Sequence, residues 1–215
     1  MHGAGNDFVI IEDDEIELGV PFTRSQFQVI ADRHFGVGAD QIILLSPSKK
    51  ADIFMHIFNA DGSVAGACGN ATRCVAKIVT DRTGRKSCKI ETISGILGCK
   101  VTAKGYEVNM GRPAFDPRAV GIIEECDSSA IVLDHLSDLK GFAVSMGNPH
   151  VVYFVEDHST LDIPKIGSAI EKDPLFGEGV NVGFAKIMTK GHIHLRVWER
   201  GSGETFACGS GACAA

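Results

Sequence analysis

Gly66-Ala67-Cys68-Gly69-Asn70-Ala71-Thr72-Arg73-Cys74 is the stretch that decides the fold, because its pattern returns later as Phe206-Ala207-Cys208-Gly209-Ser210-Gly211-Ala212-Cys213. The offset between the two Ala-Cys-Gly steps is 208 − 68 = 140 residues. Each step follows an apolar run and a glycine-containing acidic turn, residues 59–62 in the first copy and 199–204 in the second. The duplication predicts two similar halves, and it indicates chemistry in which two equivalent thiols act on two sides of one group.

A second repeated segment supports this division of the chain. Gly5-Asn6-Asp7-Phe8-Val9-Ile10 resembles Gly147-Asn148-Pro149-His150-Val151-Val152 at an offset of 147 − 5 = 142 residues. The matching order and similar offsets predict an N-terminal α/β half, residues 1–112, and a C-terminal α/β half, residues 113–215. The prolines of residues 112–117 suit a linker. Because the sequence stops just after Cys213, we expect the second half to be truncated within its helix.

Composition excludes several classes of protein. The 215 residues are 44% hydrophobic and 22% charged, which is ordinary for a globular protein, and the net charge of −6 argues against a nucleic-acid partner. The sequence shows neither a membrane-spanning run nor a signal peptide, so we expect a cytoplasmic protein with no membrane partner. Seven cysteines without a C-x2-C pair favour thiols in a reducing compartment. The sequence does not fix the oligomeric state, and a homodimer is kept as one candidate.

Short apolar runs predict that strands dominate the secondary structure. Residues 89–111 contain three such runs broken at glycines, which is typical of an antiparallel meander. Thr23-Arg24-Ser25-Gln26 has the form of a capping box and predicts a helix over residues 23–34. Residues 71–80 form a second helical stripe, which places Cys68 at its N-terminus. The remaining predicted strands are residues 8–11, 41–45, 53–58, 144–146, 151–155, 180–188 and 192–198.

Cys68 and Cys208, the cysteines of the two Ala-Cys-Gly steps, are each expected to lie at the start of a helix. A helix N-terminus presents unpaired N–H donors and the positive end of the helix dipole, which lowers the pKa of a thiol and also binds a carboxylate. Gly69 and Gly209 leave the backbone open to a ligand directly after the cysteines. Such a pair of thiols suits the removal of a proton from one face of a carbon beside a carboxylate and the delivery of another to the opposite face. The product would be the inverted stereoisomer.

Other interpretations of the cysteines remain open at this point. Cys88, Cys99 and Cys126 are expected to be small core residues, and Cys74 and Cys213 to be structural. A zinc site would have to use C-x5-C and C-x4-C spacings, which differ from the usual C-x2-4-C knuckles. A redox switch between Cys68 and Cys208 is a further alternative.

The chain resembles the diaminopimelate epimerases over nearly its whole length. The segments that carry the resemblance are residues 1–8, 36–41, 59–62, 68–70, 146–150, 181–182 and 198–213. It implies an α/β (α+β) fold of two pseudo-symmetric domains, each a mainly antiparallel, barrel-like sheet around a central helix. It also implies an isomerase that uses neither cofactor nor metal and interconverts LL- and meso-2,6-diaminopimelate, a small-molecule substrate, in lysine and peptidoglycan-precursor biosynthesis.

The resemblance also implies roles for individual residues. Cys68 and Cys208 would be the catalytic base and acid, and His150 with Glu199 would help to settle the protonation of the thiols. Main-chain N–H groups after the two cysteines would hold the carboxylate at the reacting carbon, and Arg200 would pair with the distal carboxylate. The implied substrate-binding residues are Asn6, Gln41, Asn59, Gly69, Asn70, Asn148, Asn181, Glu199, Arg200, Gly209 and Ser210.

Two alternative functions are retained. A proline or hydroxyproline racemase of the same architecture is the nearer one, although Glu199, Arg200 and the many amides favour an acyclic diamino diacid. A non-catalytic thiol or zinc redox protein is the other. The chain departs from the family at Ala71, where glycine is more frequent.

Overall fold

The computed structural model describes residues 1–12, 22–133 and 138–215, which form two compact units. Unit 1 is Met1–Met110 and unit 2 is Gly111–Ala215. Both units mix strands and helices, so the predicted α/β class is confirmed. Within the described residues, the longest helix has 15 residues, and none combines the length and apolar character needed to cross a membrane.

Unit 1 contains a sheet that packs against helices on both faces. Its described elements are β1 (His2–Gly3), β2 (Asn6–Glu12), α1 (Arg24–Ala31), β3 (Gln41–Ser46), β4 (Ile53–Asn59), β5 (Val64–Ala65), α2 (Gly69–Thr83), β6 (Ser87–Thr92), β7 (Gly95–Thr102) and β8 (Gly105–Asn109). The strands follow the spatial order β1-β2-β3-β4-β6-β7-β8, with β5 paired to β4, and among these described strands only the β2–β3 and β4–β6 pairs are parallel. The predicted antiparallel meander is confirmed as β6, β7 and β8.

Helix α2 fills the main core of unit 1. Its buried stripe of Ala71, Val75 and Val79 packs with sheet residues such as Ile43 and Met55. Burying an aliphatic side chain of this size stabilises the fold by about 1.5–3 kcal/mol. The predicted helix of residues 71–80 is confirmed and is longer than expected, because it begins directly after Cys68 and ends at Gly84 in the left-handed region.

Helix α1 confirms the predicted capping box but ends early. The side chain of Thr23 accepts from the N–H of Gln26, and the N–H of Thr23 donates to the side chain of Gln26. The helix ends at Ala31 rather than at residue 34. The Asp32 carboxylate accepts from the N–H groups of His34 and Phe35, and this local turn competes with continuation of the helix.

The described elements of unit 2 are α3 (Pro117–Val120), β9 (Gly141–Ser145), β10 (Pro149–Phe154), a 3-10 helix (His158–Thr160), α4 (Ile163–Glu171), β11 (Asn181–Thr189), β12 (His192–Glu199), β13 (Gly203–Thr205) and α5 (Gly209–Ala214). These strands form a five-stranded sheet in the order β13-β12-β11-β10-β9, and among them only β10 and β11 pair in parallel. The core contains Tyr153 and Phe184 from the sheet and Ile163 and Ile170 from α4. Helix α4 was not predicted from the sequence, although Asp162 caps it and isoleucines recur on one face.

The two units share one sequence of connections. In unit 1, β2 pairs in parallel with β3, β3 and β4 are antiparallel, β5 adds to β4, and α2 begins directly after a cysteine. In unit 2, β10, β11, β12, β13 and α5 repeat these pairings and the same cysteine cap. The repeats noticed in the sequence therefore correspond to one structural motif that occurs once in each unit.

Candidate active site

Cys68 is the N-cap residue of α2. Its backbone is extended (φ −149°, ψ 104°), and its half-buried sulfur accepts the N–H of Ala71 at 3.4 Å. An N-cap side chain satisfies one of the N–H groups that the first helical turn leaves without an internal partner. The first i→i−4 bond is donated by Thr72 to the carbonyl of Cys68. Gly69 lies before this bond, in the first turn, whose leading N–H groups have no i→i−4 acceptor within the helix.

Asn6 and Asn70 lie beside the Cys68 thiol. The Oδ1 atom of Asn6 accepts from the Cys68 sulfur at 3.7 Å and from Nδ2 of Asn70 at 3.5 Å. Asn70 is only 3% exposed, and its Oδ1 accepts from the guanidinium of Arg73 at 2.6 Å. Three of the residues expected at the site are thus brought together around one sulfur.

Gln41 and Asn59 form a second polar pair in unit 1, on neighbouring strands. They face each other in the β3–β4 register, and Nε2 of Gln41 donates to Oδ1 of Asn59 at 2.9 Å. Asn59 in turn donates to the hydroxyl of Ser63. The Oε1 atom of Gln41 is buried without a hydrogen-bond partner among the described residues. Burying an acceptor without a hydrogen-bond donor lowers the stability of the fold, and a ligand that supplies the donor would remove this cost.

Cys208 repeats the cap geometry in unit 2. It is the N-cap residue of α5, and its sulfur accepts the N–H of Gly211 at 3.4 Å. The hydroxyl of Ser210 lies 3.4 Å from the same sulfur. Gly209 is the first helical residue, before the first i→i−4 bond, which runs from Ala212 to the carbonyl of Cys208. Cys208 is 8% exposed.

His150 contacts Ser210, whose hydroxyl lies beside the Cys208 sulfur. Its Nε2 lies 2.9 Å from the Ser210 hydroxyl and 3.1 Å from Oδ1 of Asn148, and its Nδ1 is buried without a partner among the described residues. Because Oδ1 of Asn148 can only accept, the proton is assigned to Nε2. Burial, reinforced by the charge of Arg200, lowers the pKa of His150 to about 4. His150 is therefore neutral at pH 7.

Glu199 is the charged neighbour of Cys208. Burial and then the charge of Glu199 raise the pKa of the Cys208 thiol to about 12, against the smaller lowering contributions of Ser210 and Gly211. The expectation that the helix N-terminus lowers this pKa is wrong for Cys208, because the desolvation of a thiolate costs more free energy than the hydrogen bonds of Gly211 and Ser210 return. Thr205 donates to Glu199 at 2.5 Å. Cys208 consequently holds its proton at neutral pH.

Asn181 and Arg200 are held by contacts within unit 2. Nδ2 of Asn181 donates to the carbonyl of Pro149 at 2.7 Å, and its Oδ1 accepts the N–H of Arg200 at 3.0 Å. The Arg200 guanidinium donates to the carbonyl of Glu178 at 3.1 Å. Both ends of the Asn181 amide are therefore engaged, whereas Arg200 keeps further donors for an anion.

The other five cysteines differ in their exposure to solvent. Cys74, Cys88 and Cys99 are buried, as expected, and burial raises the pKa of Cys99 to about 12. Cys126 is exposed, so its assignment to the core is wrong, and Cys213 is exposed as well. Within the described ranges, no group of three or more histidines, cysteines or carboxylates is arranged to hold a metal ion.

Solved structures with this fold define its class. A hydroxyproline epimerase from Agrobacterium vitis matches with a TM-score of 0.66 at 14% identity, covering 99% of this chain and 73% of that one. A Bacillus anthracis PhzF-family phenazine biosynthesis protein matches with a TM-score of 0.62 at 19% identity, covering 100% and 74%. The fold is therefore the paired α/β fold of the epimerases and PhzF proteins.

The sequence comparisons identify the family. The family profile described as Diaminopimelate epimerase matches residues 1–115 and 142–215. The diaminopimelate epimerase of Rhodospirillum centenum is 44% identical over all of this chain and 74% of its own length. That of Acidiphilium cryptum is 46% identical over all of this chain and 77% of its own length. The chain belongs to the diaminopimelate epimerase family and is an isomerase.

Proposed function

We propose that this isomerase interconverts LL- and meso-2,6-diaminopimelate and that Cys68 and Cys208 are its acid/base pair. The observation that carries the proposal is the duplicated cap: each sulfur begins a helix and accepts the N–H three residues later at 3.4 Å. Lysine and peptidoglycan-precursor biosynthesis in the cytoplasm is the matching setting, with a small-molecule substrate. The homodimer stays a prediction.

The chemistry is a proton exchange at the α-carbon. One thiolate removes the α-proton, and the electron pair of the broken C–H bond delocalises into the neighbouring carboxylate. The other thiol then donates its proton to the opposite face of the carbon, which inverts the stereocentre. The N–H groups of Gly69, Asn70, Gly209 and Ser210 are proposed to bind the carboxylate as its negative charge grows, which is when such donors contribute most.

The surroundings of the thiols suggest which of them starts the reaction. Cys208 keeps its proton at neutral pH, since burial and Glu199 raise its pKa to about 12. For one stereoisomer Cys208 is therefore the acid and Cys68 the base. Once Cys208 has given its proton to the substrate, it is the thiolate that the other stereoisomer requires, and the roles exchange. His150, neutral and bonded to Ser210, supports Cys208 by holding the hydroxyl beside the sulfur.

The remaining polar groups are proposed to select the substrate. The buried and unpartnered Oε1 of Gln41 suits a substrate ammonium group, and Arg200 suits a carboxylate. Asn6, Asn59 and Asn148 would complete the set, while Asn181 holds the backbone of Arg200. A site that leaves such groups unpaired discriminates strongly against an analogue that lacks the matching donor or acceptor. Proline and hydroxyproline, with one carboxylate and no distal amine, should therefore be poor substrates.

The test is solvent deuterium incorporation at the α-carbon. The protein is incubated in D2O with diaminopimelate, proline or hydroxyproline, and each amino acid is analysed by mass spectrometry. We expect incorporation into diaminopimelate alone. In Cys68→Ser it should be lost for the stereoisomer whose proton Cys68 removes, with Cys126→Ser as the matched exposed-thiol control. Incorporation into proline rather than diaminopimelate would overturn the substrate assignment, and unchanged rates with both stereoisomers in Cys68→Ser would overturn the two-thiol mechanism.

A further inference from the structure

Asp40 belongs to a compact charged network next to the Cys68 site. Its Oδ1 accepts from Arg33 at 2.7 Å, and its Oδ2 accepts from the N–H of Asp7 and from Nδ2 of Asn6, both at 3.0 Å. Arg33 also binds both oxygens of Asp7, at 2.8 and 3.0 Å, and the N–H of Asp40 donates to Asp7 at 2.8 Å. Every oxygen of the Asp40 carboxylate is thus committed.

This network fixes which way the Asn6 amide points. A carboxylate only accepts, so the side of the amide that faces Asp40 must be the NH2 group. The carbonyl Oδ1 is then directed at Cys68 and Asn70, at 3.7 and 3.5 Å. The reverse orientation would place Oδ1 against a carboxylate oxygen and two nitrogen donors, Nδ2 of Asn6 and Nδ2 of Asn70, against each other.

The direction of the amide matters for the thiol. A carbonyl oxygen accepts a hydrogen bond from an S–H group, but it faces a thiolate with its own lone pairs. An amide NH2 group in the same place would donate to the thiolate. The orientation of one side chain therefore biases the proton equilibrium of Cys68.

We propose that Asp40 is a positioning residue that turns the Asn6 carbonyl toward Cys68 and so limits the fraction of thiolate there before substrate binds. The inference rests on the proposed function only in taking Cys68 as one of the two acid/base thiols. It concerns unit 1 alone, because the residue 140 positions later is Val180, a fully buried aliphatic side chain. In unit 2 it is His150, not a carboxylate, that engages the corresponding amide of Asn148.

Asp40→Asn tests this with little change of shape. Arg33 requires an acceptor and keeps the remaining oxygen, so the new NH2 group takes the place of Oδ2. There it can accept neither from Nδ2 of Asn6 nor from the N–H of Asp7. The Asn6 amide is expected to reverse, so that its Oδ1 accepts from the new NH2 group and its Nδ2 faces the sulfur, with loss of the hydrogen bond from Asn70. The other charged groups of the neighbouring elements, Asp7, Arg33, Arg73 and the amino terminus, are all retained.

The measurement is the pH profile of Cys68 alkylation by iodoacetamide without substrate, followed by peptide mapping. We expect the midpoint to fall by about one pH unit in Asp40→Asn, so that the rate at pH 7 rises about five- to tenfold. The matched control is Asp52→Asn, because Asp52 is likewise held by one arginine, Arg85, and one backbone N–H. An unchanged Asp40→Asn midpoint, or an equal shift in both variants, would overturn the proposal.

Two further variants separate positioning from a general loss of structure. Asp40→Glu keeps a carboxylate and should return the midpoint toward the wild-type value, and a shift as large as that of Asp40→Asn would refute the role of the carboxylate. Asn6→Ala removes the carbonyl, so adding Asp40→Asn to it should change nothing more. Additive shifts would show that Asp40 does not act through Asn6. Since alkylation is read without substrate, these outcomes are independent of the deuterium assay that tests the proposed function.

Discussion

The two cysteine sites use the same backbone device with different side chains around it. In unit 1 the residues at corresponding places of the repeated motif have no titratable side chain, whereas in unit 2 two of them are a histidine and a glutamate. The differing pairs are Phe8 and His150, Asn59 and Glu199, and Asn70 and Ser210. Both sulfurs still accept a helical N–H at 3.4 Å. The cap alone therefore does not set the proton affinity of a thiol; its neighbours do.

The placement of charge distinguishes the two sites further. At Cys208 the carboxylate of Glu199 contacts the thiol, and burial is deep enough to raise its pKa to about 12. The sulfur of Cys68 is half-buried. Within the network of Asp7, Arg33 and Asp40, it is Asp40 that contacts Asn6, and Asn6 contacts the sulfur. A reaction that runs in both directions can use two thiols that are controlled by separate means.

The largest expected effect comes from removing one thiol at a time. Cys208→Ser should slow inversion by about 10²- to 10⁴-fold, because a hydroxyl is a much weaker acid than a thiol. Deuterium exchange without inversion should persist for the one stereoisomer whose proton Cys68 removes, and Cys68→Ser should show the opposite preference. The comparison is between LL- and meso-diaminopimelate in D2O.

The control for this experiment is Cys213→Ser, an exposed thiol on the same helix as Cys208. It should leave inversion unchanged. Equal loss of exchange with both stereoisomers in Cys208→Ser would contradict distinct roles for the two sites.

The second expected effect is a difference in acid sensitivity between the units. His150 has a folded pKa of about 4 and an unfolded value near 6.5, so the unfolded state binds the proton first. Its contribution is constant above pH 6.5, and the free energy of unfolding falls by roughly 3 kcal/mol as the pH drops to 4. In unit 1, hydrogen bonds from Arg33 lower the pKa of Asp7 to about 2, so its contribution is present above pH 3.8 and is lost only below it.

Urea unfolding of wild type and His150→Gln at pH 7 and pH 4.5, with hydrogen exchange to resolve the units, measures this difference. The pH-dependent loss in unit 2 should shrink in His150→Gln, while the contribution of His158, whose pKa burial also lowers, stays in both proteins. His34→Gln, at an exposed position of unit 1, is the control. An identical pH slope in wild type and His150→Gln would show that His150 is not the responsible group.

The third effect tests the charge beside Cys208. Glu199→Gln makes this position neutral, as Asn59 is in unit 1, and should lower the pKa of Cys208 while burial still holds it above the ordinary value. Alkylation of Cys208 at pH 8.5 should accelerate about tenfold. Glu204→Gln removes a nearby carboxylate that is paired with Arg196 and should have little effect. Equal acceleration in both variants would mean that the effect is not specific to Glu199.

The smallest effect concerns Ser210. Because Nε2 of His150 carries a proton, it cannot accept from the Ser210 hydroxyl, which is left to donate to the sulfur and so favours the thiolate. Ser210→Ala should slow alkylation of Cys208 at high pH by about three- to fivefold. Ser210→Thr keeps the hydroxyl and should restore most of the rate. Faster alkylation in Ser210→Ala would reverse the assigned direction of this hydrogen bond.

Much of the fold followed from local sequence signals. The meander, the strands after Gly5 and Gly147, the capping box at Thr23 and the helix after Cys68 depend on periodicity, glycine and side-chain caps, which act between near neighbours. The early end of α1 did not follow, because the Asp32 side chain could either face solvent or form its own turn. The helix α4 was missed although its cap and apolar spacing were present.

The sequence named candidate residues, whereas their contacts depend on the tertiary structure. Cys68, Asn6 and Asn70 lie together, as do Cys208, Ser210 and His150. Asp40 lies within the motif of residues 36–41, but the sequence assigned it no role, because the role depends on the direction of the Asn6 amide. Asn181 was expected to bind substrate, yet its amide is already engaged by Pro149 and Arg200.

The sequence by itself determined that two cysteines cap two helices in a repeated α/β motif, since the caps, the glycines and the repeat lie within short segments of chain. Only the tertiary structure decided how each thiol holds its proton. Burial and the approach of Glu199 and His150 to Cys208, or of Asn6 and Asp40 to Cys68, join residues far apart in the chain, and desolvation and hydrogen-bond direction depend on that proximity.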